Sequence, residues 1–552
     1  MPTLEKIVDT LAERRNGVGE AGPLNPDFRL FLTSMPAPYF PVPVLQNGVK
    51  LTNEPPKGIR ANLNRTVANL DTITPFEKVG GKEQEFSDGM KKVSAWKQLV
   101  FALCFFNAVL QERRKFGPLG FNTAYQFDDS DLETSVTVLK MFIEEQKEIP
   151  WGALLYITGQ INYGGRVTDD WDRRALMAIL RSYYSANTLR EGNKFSPSGT
   201  YYVPPVGTLD VFKAYVQGLP MNDDPEIFGM HNNANIASQL RETQTLMETV
   251  LGLQPRASGK GAGRSPDEII GEMAAEFEAE LPAKLDMSEA GPNTFVMKGE
   301  HMDSLATVLG QEMARFNKLL GKMSRSLALL QKAIRGEVLL DEELDKMYVA
   351  MLNNKVPANW TAAAYPSLKP LASWMRDMHA RIGFMRGWLV GGQPSAFWIS
   401  GFFFPQGFMT GTLQNHARKY AIAIDTLNFS FKMLEADVPD ELPLAEVPED
   451  GVVIYGLFFD GARWDKKERT VVESKPGEIY GAVPLIHFMP TVNYKPNPKE
   501  FSAPVYKTHV RAGTLSTTGM STNFIVTVEM PTRDDPDKWI LMGAALLSMT
   551  PD

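Results

Sequence analysis

The chain has 552 residues, of which 43% are hydrophobic and 10% aromatic, and 57 basic against 65 acidic residues give a net charge of −8. This length exceeds one ordinary hydrophobic core, so we expect roughly two to four globular domains. The mildly acidic balance excludes the basic surface that a nucleic-acid partner requires. A single cysteine, Cys104, excludes a disulfide framework, and its apolar surroundings predict a buried thiol.

The beginning of the chain predicts a helix followed by a buried strand. Its first twenty residues lack the basic-then-apolar pattern of a secretory signal. The apolar run 28–34 follows Asn25-Pro26-Asp27 and precedes a proline-rich stretch, a pattern typical of a buried parallel strand. The most apolar long stretch, 397–413, contains Pro405 and is shorter than the ~20 residues of a membrane span. It predicts a buried helical hairpin, and no membrane association is expected.

Helical patterns dominate the part of the chain up to about residue 215. Residues 96–112 are apolar on nearly all sides and are followed by basic residues, which predicts a core helix. Ser130 and Glu133 form a capping-box pair, so they predict the start of the next helix.

Two long helices are predicted farther along. Apolar residues from Leu305 to Ile334 recur in steps of four and three, and those from Leu371 to Leu389 have the same spacing. The two helices could pack as an antiparallel hairpin. A coiled coil that binds an outside partner is the alternative, but tryptophans and scattered glycines favour a globular bundle.

The period of the apolar pattern changes to two after Leu427, which indicates strands. Short runs of strand-like residues, separated by glycine and proline, predict a small barrel or sandwich behind the helices, and therefore an α+β arrangement. These runs are 452–459, 479–488, 505–510, 524–528 and 539–547.

Composition and spacing alone predict no active site. The segment 259–265 superficially resembles a phosphate-binding loop, but Arg264 stands where that loop needs lysine. Ser265, Pro266 and Glu268 instead predict a helix N-cap with a capping box. The six histidines have no zinc-site spacing, and no nucleophile motif is present. The acidic pairs at 128–129 and 169–170 are interpreted as helix starts.

Specific runs of residues resemble dynein heavy chains, in the family's order and over essentially the whole chain. The first is Asn25-Pro-Asp-Phe-Arg-Leu-Phe-Leu-Thr-Ser-Met-Pro, continuing through 40–62. Others are 116–121, 129–132, 149–151, 162–174, 228–235, 253–256, 365–371, 397–401 and 414–420. The runs 455–465 and 511–523 look like axonemal rather than cytoplasmic heavy chains.

The resemblance implies four segments. Residues 1–75 would be the end of the large subdomain of the sixth AAA+ module, and 76–215 its helical lid subdomain. Residues 216–435 would be the helical part of the C-terminal domain, and 436–552 its β-barrel part. The expected fold class is therefore α+β: a partial AAA+ large subdomain and helical lid, then a helical bundle and a small antiparallel β-barrel.

The resemblance also implies a function without chemistry of its own. The chain would be the non-catalytic C-terminal portion of a microtubule-based, ATP-driven motor of the ciliary or flagellar axoneme, bracing the AAA+ ring and regulating motility. The alternative is an interaction module that docks another axonemal component. No cofactor is expected here, because ATP and Mg²⁺ would be used by upstream modules.

The partners implied by the resemblance are the rest of the heavy chain and, through other parts of it, intermediate and light chains and the microtubule. No catalytic or metal-binding residue is predicted. Arg60 lies near the position of an AAA+ arginine finger and Arg166 near that of a sensor arginine, where a guanidinium stabilises phosphate charge. The favoured alternative is that both form structural ion pairs, because no phosphate loop is evident.

Overall fold

The structure, a computed structural model, divides into two compact units, Met1–Lys57 and Gly58–Asp552. Each unit is described by itself. The residues described are 2–15, 22, 24–34, 40–52, 54–79, 83–190, 192–253, 265–298, 301–441, 448–514 and 521–550. The segment 259–264 therefore lies outside the described residues.

The first unit contains two helices, α1 (Pro2–Arg15) and α2 (Val42–Asn47), and its described residues form no strand. The helix predicted at the start is confirmed, but the buried strand predicted at 28–34 is wrong. Phe31 is 85% exposed, and Leu30 and Leu32 are nearly half exposed. A buried parallel strand needs neighbouring strands, and the described part of this unit offers none.

The second unit begins with helices packed around one central helix. The predicted core helix is confirmed as α4, in which almost every side chain is buried, Cys104 among them. The Trp96 indole donates to the carbonyl oxygen of Phe76 at 3.1 Å. The helices of this region are α3 (Ile59–Ile73), α4 (Lys92–Arg113), α5 (Asp129–Glu145), α6 (Trp151–Tyr156), α7 (Asp170–Tyr183) and α8 (Leu209–Gly218).

Among the described residues, one helical stretch, Lys92–Leu119, is long and apolar enough to cross a membrane. Its most apolar window is 89% buried within the molecule. Such burial by neighbouring helices is typical of the core helix of a globular domain.

The start of α5 differs from the prediction by two residues. Asp128 is the N-cap, and its capping-box partner is Asp131 rather than the predicted pair Ser130 and Glu133. Ser130 lies within the first turn, where its hydroxyl donates to Asp128, so the longer-reaching carboxylate caps the helix instead. The capping box of Ser265 and Glu268 is confirmed at the next predicted N-terminus.

A second helical group contains the longest helix of the chain's described part, α11, which confirms the predicted periodicity. It packs mainly against α10 and α15 and touches α14 less, so the expected hairpin of α11 and α14 is not the main contact. The helices of this group are α9 (Asn233–Leu253), α10 (Pro266–Glu280), α11 (Ser304–Ile334), α12 (Glu342–Leu352), α13 (Ala358–Thr361), α14 (Leu371–Gly391) and α15 (Pro405–Tyr420).

The helical hairpin predicted at 397–413 is wrong. A short strand, a 3₁₀ turn at Ile399–Gly401 and α15 occupy this stretch. Pro405 stands at the first position of α15, where its fixed φ and missing N–H favour a helix start rather than a helix interior.

In the part of the chain that the structure describes, the strands form a small hairpin and three further sheets. They are β1 (Met297–Lys298), β2 (His301–Met302), β3 (Phe397–Trp398), β4 (Leu427–Met433), β5 (Val452–Tyr455), β6 (Phe458–Asp460), β7 (Arg463–Asp465), β8 (Thr470–Val472), β9 (Tyr480–Ala482), β10 (Ile486–Val492), β11 (Phe501–Tyr506), β12 (Phe524–Met530) and β13 (Ala545–Leu547). The sheet orders are β1-β2, β3-β5-β10-β4, β12-β11-β13-β6-β9 and β7-β8.

The predicted closed antiparallel barrel is replaced by open, mixed sheets. Within the described residues β4 and β12 are edge strands that touch without forming a hydrogen-bonded ladder. Two pairs are parallel, β3 with β5 and β11 with β13. The first arises because β3 comes from the helical region. The second arises because helix α16 (Pro536–Leu541) carries the polypeptide across the sheet, so the predicted strand at 539–547 begins as a helix.

Gly543 provides a test of the contact between α16 and the helices around α4. It has a φ of +68°, and a Cβ there would lie 2.2 Å from the carbonyl oxygen of Leu119. We expect Gly543→Ala to lower the free energy of unfolding by about 2–4 kcal/mol, through backbone strain and displacement of Leu119. Urea unfolding followed by circular dichroism measures the change.

The matched control is Gly310→Ala inside α11, where a Cβ would meet no atom within 4 Å. Alanine should raise the free energy of unfolding there by about 0.5–1 kcal/mol, because it favours the helix. Equal stability of Gly543→Ala and the native protein would contradict the close approach to Leu119.

Candidate functional site

Arg166 is paired with the acidic residues that cap α5. Its Nε lies 2.7 Å from Asp131 Oδ2, and its Nη2 lies 2.7 Å from Asp128 Oδ2. The hydrogen bond to Asp131 raises the pKa of Arg166, and Ser130 together with Arg166 lowers the pKa of Asp128. Arg166 ends the 3₁₀ turn Gly164–Arg166, so the ion pairs hold this turn to the start of α5.

Arg60 lies at a different contact. It is in the first turn of α3, and its Nη1 donates to the carbonyl oxygen of Leu219, just after α8, at 3.3 Å. Next to it, the amide of Ile59 donates to both carboxylate oxygens of Asp223 at 3.1 Å. The contacts of Arg60 and those of Arg166 share no residue, so the structure does not bring the two candidate arginines into one cluster.

The sequence does not single out Arg113, at the end of α4, although its buried guanidinium requires several hydrogen-bond acceptors. Its side chain is completely buried, and its three guanidinium nitrogens donate to three backbone carbonyls. Nε reaches Gly120 at 2.9 Å, Nη2 reaches Leu541 at 2.7 Å, and Nη1 reaches Phe228. Burial lowers the pKa of Arg113 to about 10.

The three acceptors of Arg113 come from separate parts of the second unit. Gly120 follows α4, Phe228 precedes α9, and Leu541 ends α16 in the strand region. The sequence signal is a run of three basic residues, which by itself indicates a favourable charge at a helix C-terminus. Interaction with the helix dipole explains the two more accessible residues of the run, Arg114 and Lys115. It does not explain the fully buried guanidinium of Arg113, whose burial is seen only in the fold.

A second buried contact lies beside Arg113. The backbone amide of Asn122 donates to Asp172 Oδ1 at 2.7 Å, and the side-chain amide of Asn122 donates to the Tyr506 hydroxyl at 2.8 Å. Burial raises the pKa of Asp172 to about 7, and the nearby charge of Asp169 adds to this effect. Asp169 itself is the N-cap of α7, as its position in the sequence predicted.

Further contacts join α7 to β11 and α16 nearer to the protein surface. Arg174 Nη1 donates to the Ser502 carbonyl at 2.9 Å, and its guanidinium lies 4.5 Å from the centre of the Trp171 ring. Arg181 pairs with Asp537 at 2.7 Å on the exposed edge. The helices α4 and α7 are thereby attached to β11 and α16 from the buried centre to the surface.

Within the described ranges, no group of three or more histidine, cysteine, aspartate or glutamate side chains is arranged to hold a metal ion. The contacts of Arg113, Asn122 and Arg174 join helices to sheets in a packed interface. It resembles the packed interior of a domain rather than an open catalytic cleft.

Three family models match the chain in succession. The model described as the dynein heavy chain region D6 P-loop domain matches residues 1–52, that of the dynein heavy chain AAA lid domain matches 96–234, and that of the C-terminal domain of the dynein heavy chain matches 240–548. The protein therefore belongs to the dynein heavy chain family. We call residues 96–234 the lid region from here on.

Curated proteins that are similar to the chain include axonemal heavy chains. Dynein axonemal heavy chain 6 of Homo sapiens is 47% identical over 567 residues, with 99% of this chain and 13% of that protein covered. Dynein axonemal heavy chain 3 of Homo sapiens is 45% identical, with 99% and 13% covered. For dynein axonemal heavy chain 1 of Rattus norvegicus, the identity is 44%, with 99% and 12% covered. The chain thus spans about an eighth of the length of these relatives.

The pairing of Arg166 predicts a small, salt-dependent contribution to stability. Its side chain is 38% exposed and that of Asp128 is 54% exposed, so water and ions screen this pair, whereas the second partner, Asp131, is only 9% exposed. We expect Arg166→Ala to lower the free energy of unfolding by about 1–2 kcal/mol, and the part of the loss that comes from Asp128 to shrink in about 1 M salt. Urea unfolding at low and high salt measures it.

Arg166→Lys is the control, because it keeps the charge but loses the two-pronged geometry. The free energy of unfolding of Arg166→Lys should lie between that of Arg166→Ala and that of the native protein. A loss of several kcal/mol that does not respond to salt would contradict this account of Arg166.

Proposed function

We propose that the chain is the C-terminal portion of an axonemal dynein heavy chain that braces the AAA+ ring of a ciliary or flagellar microtubule motor and thereby regulates its motility. In this proposal the portion is non-catalytic, and ATP and Mg²⁺ act in other modules of the parent motor. The intermediate and light chains and the microtubule bind elsewhere on the parent complex. The observation that carries the proposal is the buried contact of Arg113.

Arg113 makes relative motion of the lid region and the C-terminal domain costly. Gly120 and Phe228 lie in the lid region, and Leu541 lies in the C-terminal domain. Sliding one against the other would leave a buried guanidinium without one of its acceptors, and the loss of a hydrogen bond to a charged group costs about 1.5–3 kcal/mol. The two parts therefore move as one body.

A rigid connection of this kind transmits movement. When the lid region rotates during the cycle of the ring, the C-terminal domain rotates with it, so that sheets and long helices act as a lever against neighbouring modules. The rim contact of Arg181 with Asp537 adds little, because an exposed ion pair is worth under about 1 kcal/mol. The buried centre of the contact, rather than its rim, carries the coupling.

The first test replaces Arg113 in the complete heavy chain. Arg113→Met keeps most of the side-chain volume but removes all three donors. We expect microtubule gliding velocity to fall by roughly fivefold, equivalent to about 1 kcal/mol of coupling. Limited proteolysis of the purified motor establishes whether the lid region and the C-terminal domain remain folded.

Arg181→Ala is the matched control, since it removes an arginine from the same contact at its exposed rim. It should leave gliding velocity within the error of the native motor. Native velocity for Arg113→Met with an intact proteolysis pattern would refute the bracing role.

The second test concerns nucleotide. Because Asp128 and Asp131 already occupy the Arg166 guanidinium, we expect no heat of binding when ATP with Mg²⁺ is titrated into the 552-residue protein. Detectable binding near about 1 μM, equivalent to about 8 kcal/mol, would overturn the non-catalytic role. Loss of that binding in Arg166→Ala would then assign the arginine to a nucleotide pocket.

The alternative function is an interaction module that docks another axonemal component. One observation favours it: the edge strands β4 and β12 meet without closing the sheets and leave a cavity between them. Affinity capture from axonemal extract with the whole 552-residue protein discriminates the two functions. Bracing predicts contact only with the rest of the heavy chain, whereas docking predicts a separate protein.

A further inference from the structure

The cavity at the open edge of the sheets contains a buried carboxylate without a partner. Glu529 on β12 is 7% exposed, and within the described residues no other residue makes an ion pair or hydrogen bond with its carboxylate. Two other buried carboxylates of this part of the protein each pair with an arginine. Asp460 pairs with Arg511 at 2.7 Å, for example, and Glu312 pairs with Arg315 at 2.6 Å.

The cavity has the size of a ligand site. Its volume is about 540 Å³, within the range of about 300–1,000 Å³ typical of small-molecule pockets. Apolar side chains from β4, β7 and the end of β12 line it together with Glu529. These apolar residues are Phe431, Met433, Leu434, Trp464 and Pro531.

Two of the three cations around the cavity are already neutralised. Lys466 pairs with Asp437, and Arg469 pairs with Glu435. Each of these basic side chains therefore has an acidic partner other than Glu529, and neither compensates the buried carboxylate.

The third cation, Lys432, also lines the cavity, but within the described residues it forms no ion pair with Glu529. It alternates with Phe431 along β4 and lies opposite His487 in the ladder, and burial together with the charge of Lys432 lowers the pKa of His487. Among the described residues, neither Glu529 nor the half-buried Glu500 forms an ion pair with a cation. Glu529 is therefore a carboxylate of the cavity wall that lacks an ion-pair partner of its own among the described residues.

An uncompensated buried carboxylate is costly, and burial raises the pKa of Glu529 to about 7. A bound cation would remove this cost. Apolar and aromatic walls suit a guanidinium better than an ammonium, because a guanidinium is planar, weakly hydrated and able to fork onto a carboxylate while it stacks on a ring.

We propose that the cavity between β4 and β12 binds a guanidinium group, the head of an arginine side chain presented by a partner segment, with Glu529 as its carboxylate ligand. Trp464 and Phe431 enclose the alkyl stem and the flat face of the group. The proposal is independent of bracing, because Arg113 and its acceptors lie at another contact.

The experiment uses the 552-residue protein and two neutral-backbone probes, N-acetylarginine amide and its uncharged analogue N-acetylcitrulline amide. Ligand-observed saturation-transfer NMR at a pH of about 8 keeps the Glu529 carboxylate charged. We expect the arginine probe to bind with a dissociation constant of about 1 mM and the citrulline probe to bind at least about tenfold more weakly, because only the arginine probe can form charged hydrogen bonds with the carboxylate.

Glu529→Gln keeps the shape of the side chain and removes the charge. It should raise the dissociation constant of the arginine probe at least about tenfold. The matched control is Glu343→Gln, the same change on the exposed first turn of α12, which should bind like the native protein. Equal binding to Glu529→Gln, equal binding of citrulline, or no binding at about 10 mM would each overturn the proposal.

Discussion

The buried guanidinium of Arg113 is the constraint on which the arrangement of the second unit depends. A charge without solvent must keep all of its acceptors, and these come from the segment after α4, the segment before α9 and the end of α16. The fold therefore cannot let the lid region slide along the sheets without exposing or stranding that charge.

The same part of the molecule combines a closed interior with an open edge. Near Arg113 the close approach of Gly543 to Leu119 leaves no room for a side chain. Elsewhere on the sheets, β4 and β12 come together without a ladder, and the space between them contains Glu529. The contact of Arg113 and the cavity of Glu529 therefore lie at different places in the second unit.

The candidate site is only partly accessible to sequence reasoning. Arg60 and Arg166 are identified because their positions resemble those of family arginines, and the structure places them at two separate structural contacts. Arg113 is visible only as part of a basic run, because its role depends on carbonyls more than one hundred residues away, such as that of Leu541. Glu529 gives no signal, since a strand glutamate is ordinarily exposed.

The sequence by itself determined the family, the helices with strong periodicity and the local chemistry of their starts. The α11 pattern and the Ser265 capping box depend on residues within a few turns of one another, so spacing suffices to predict them. Only the tertiary structure decided that 28–34 is exposed, that 397–413 is a strand and a helix, and that the sheets stay open. Strand pairing and burial depend on which distant segments come together, and apolar character alone does not specify that choice.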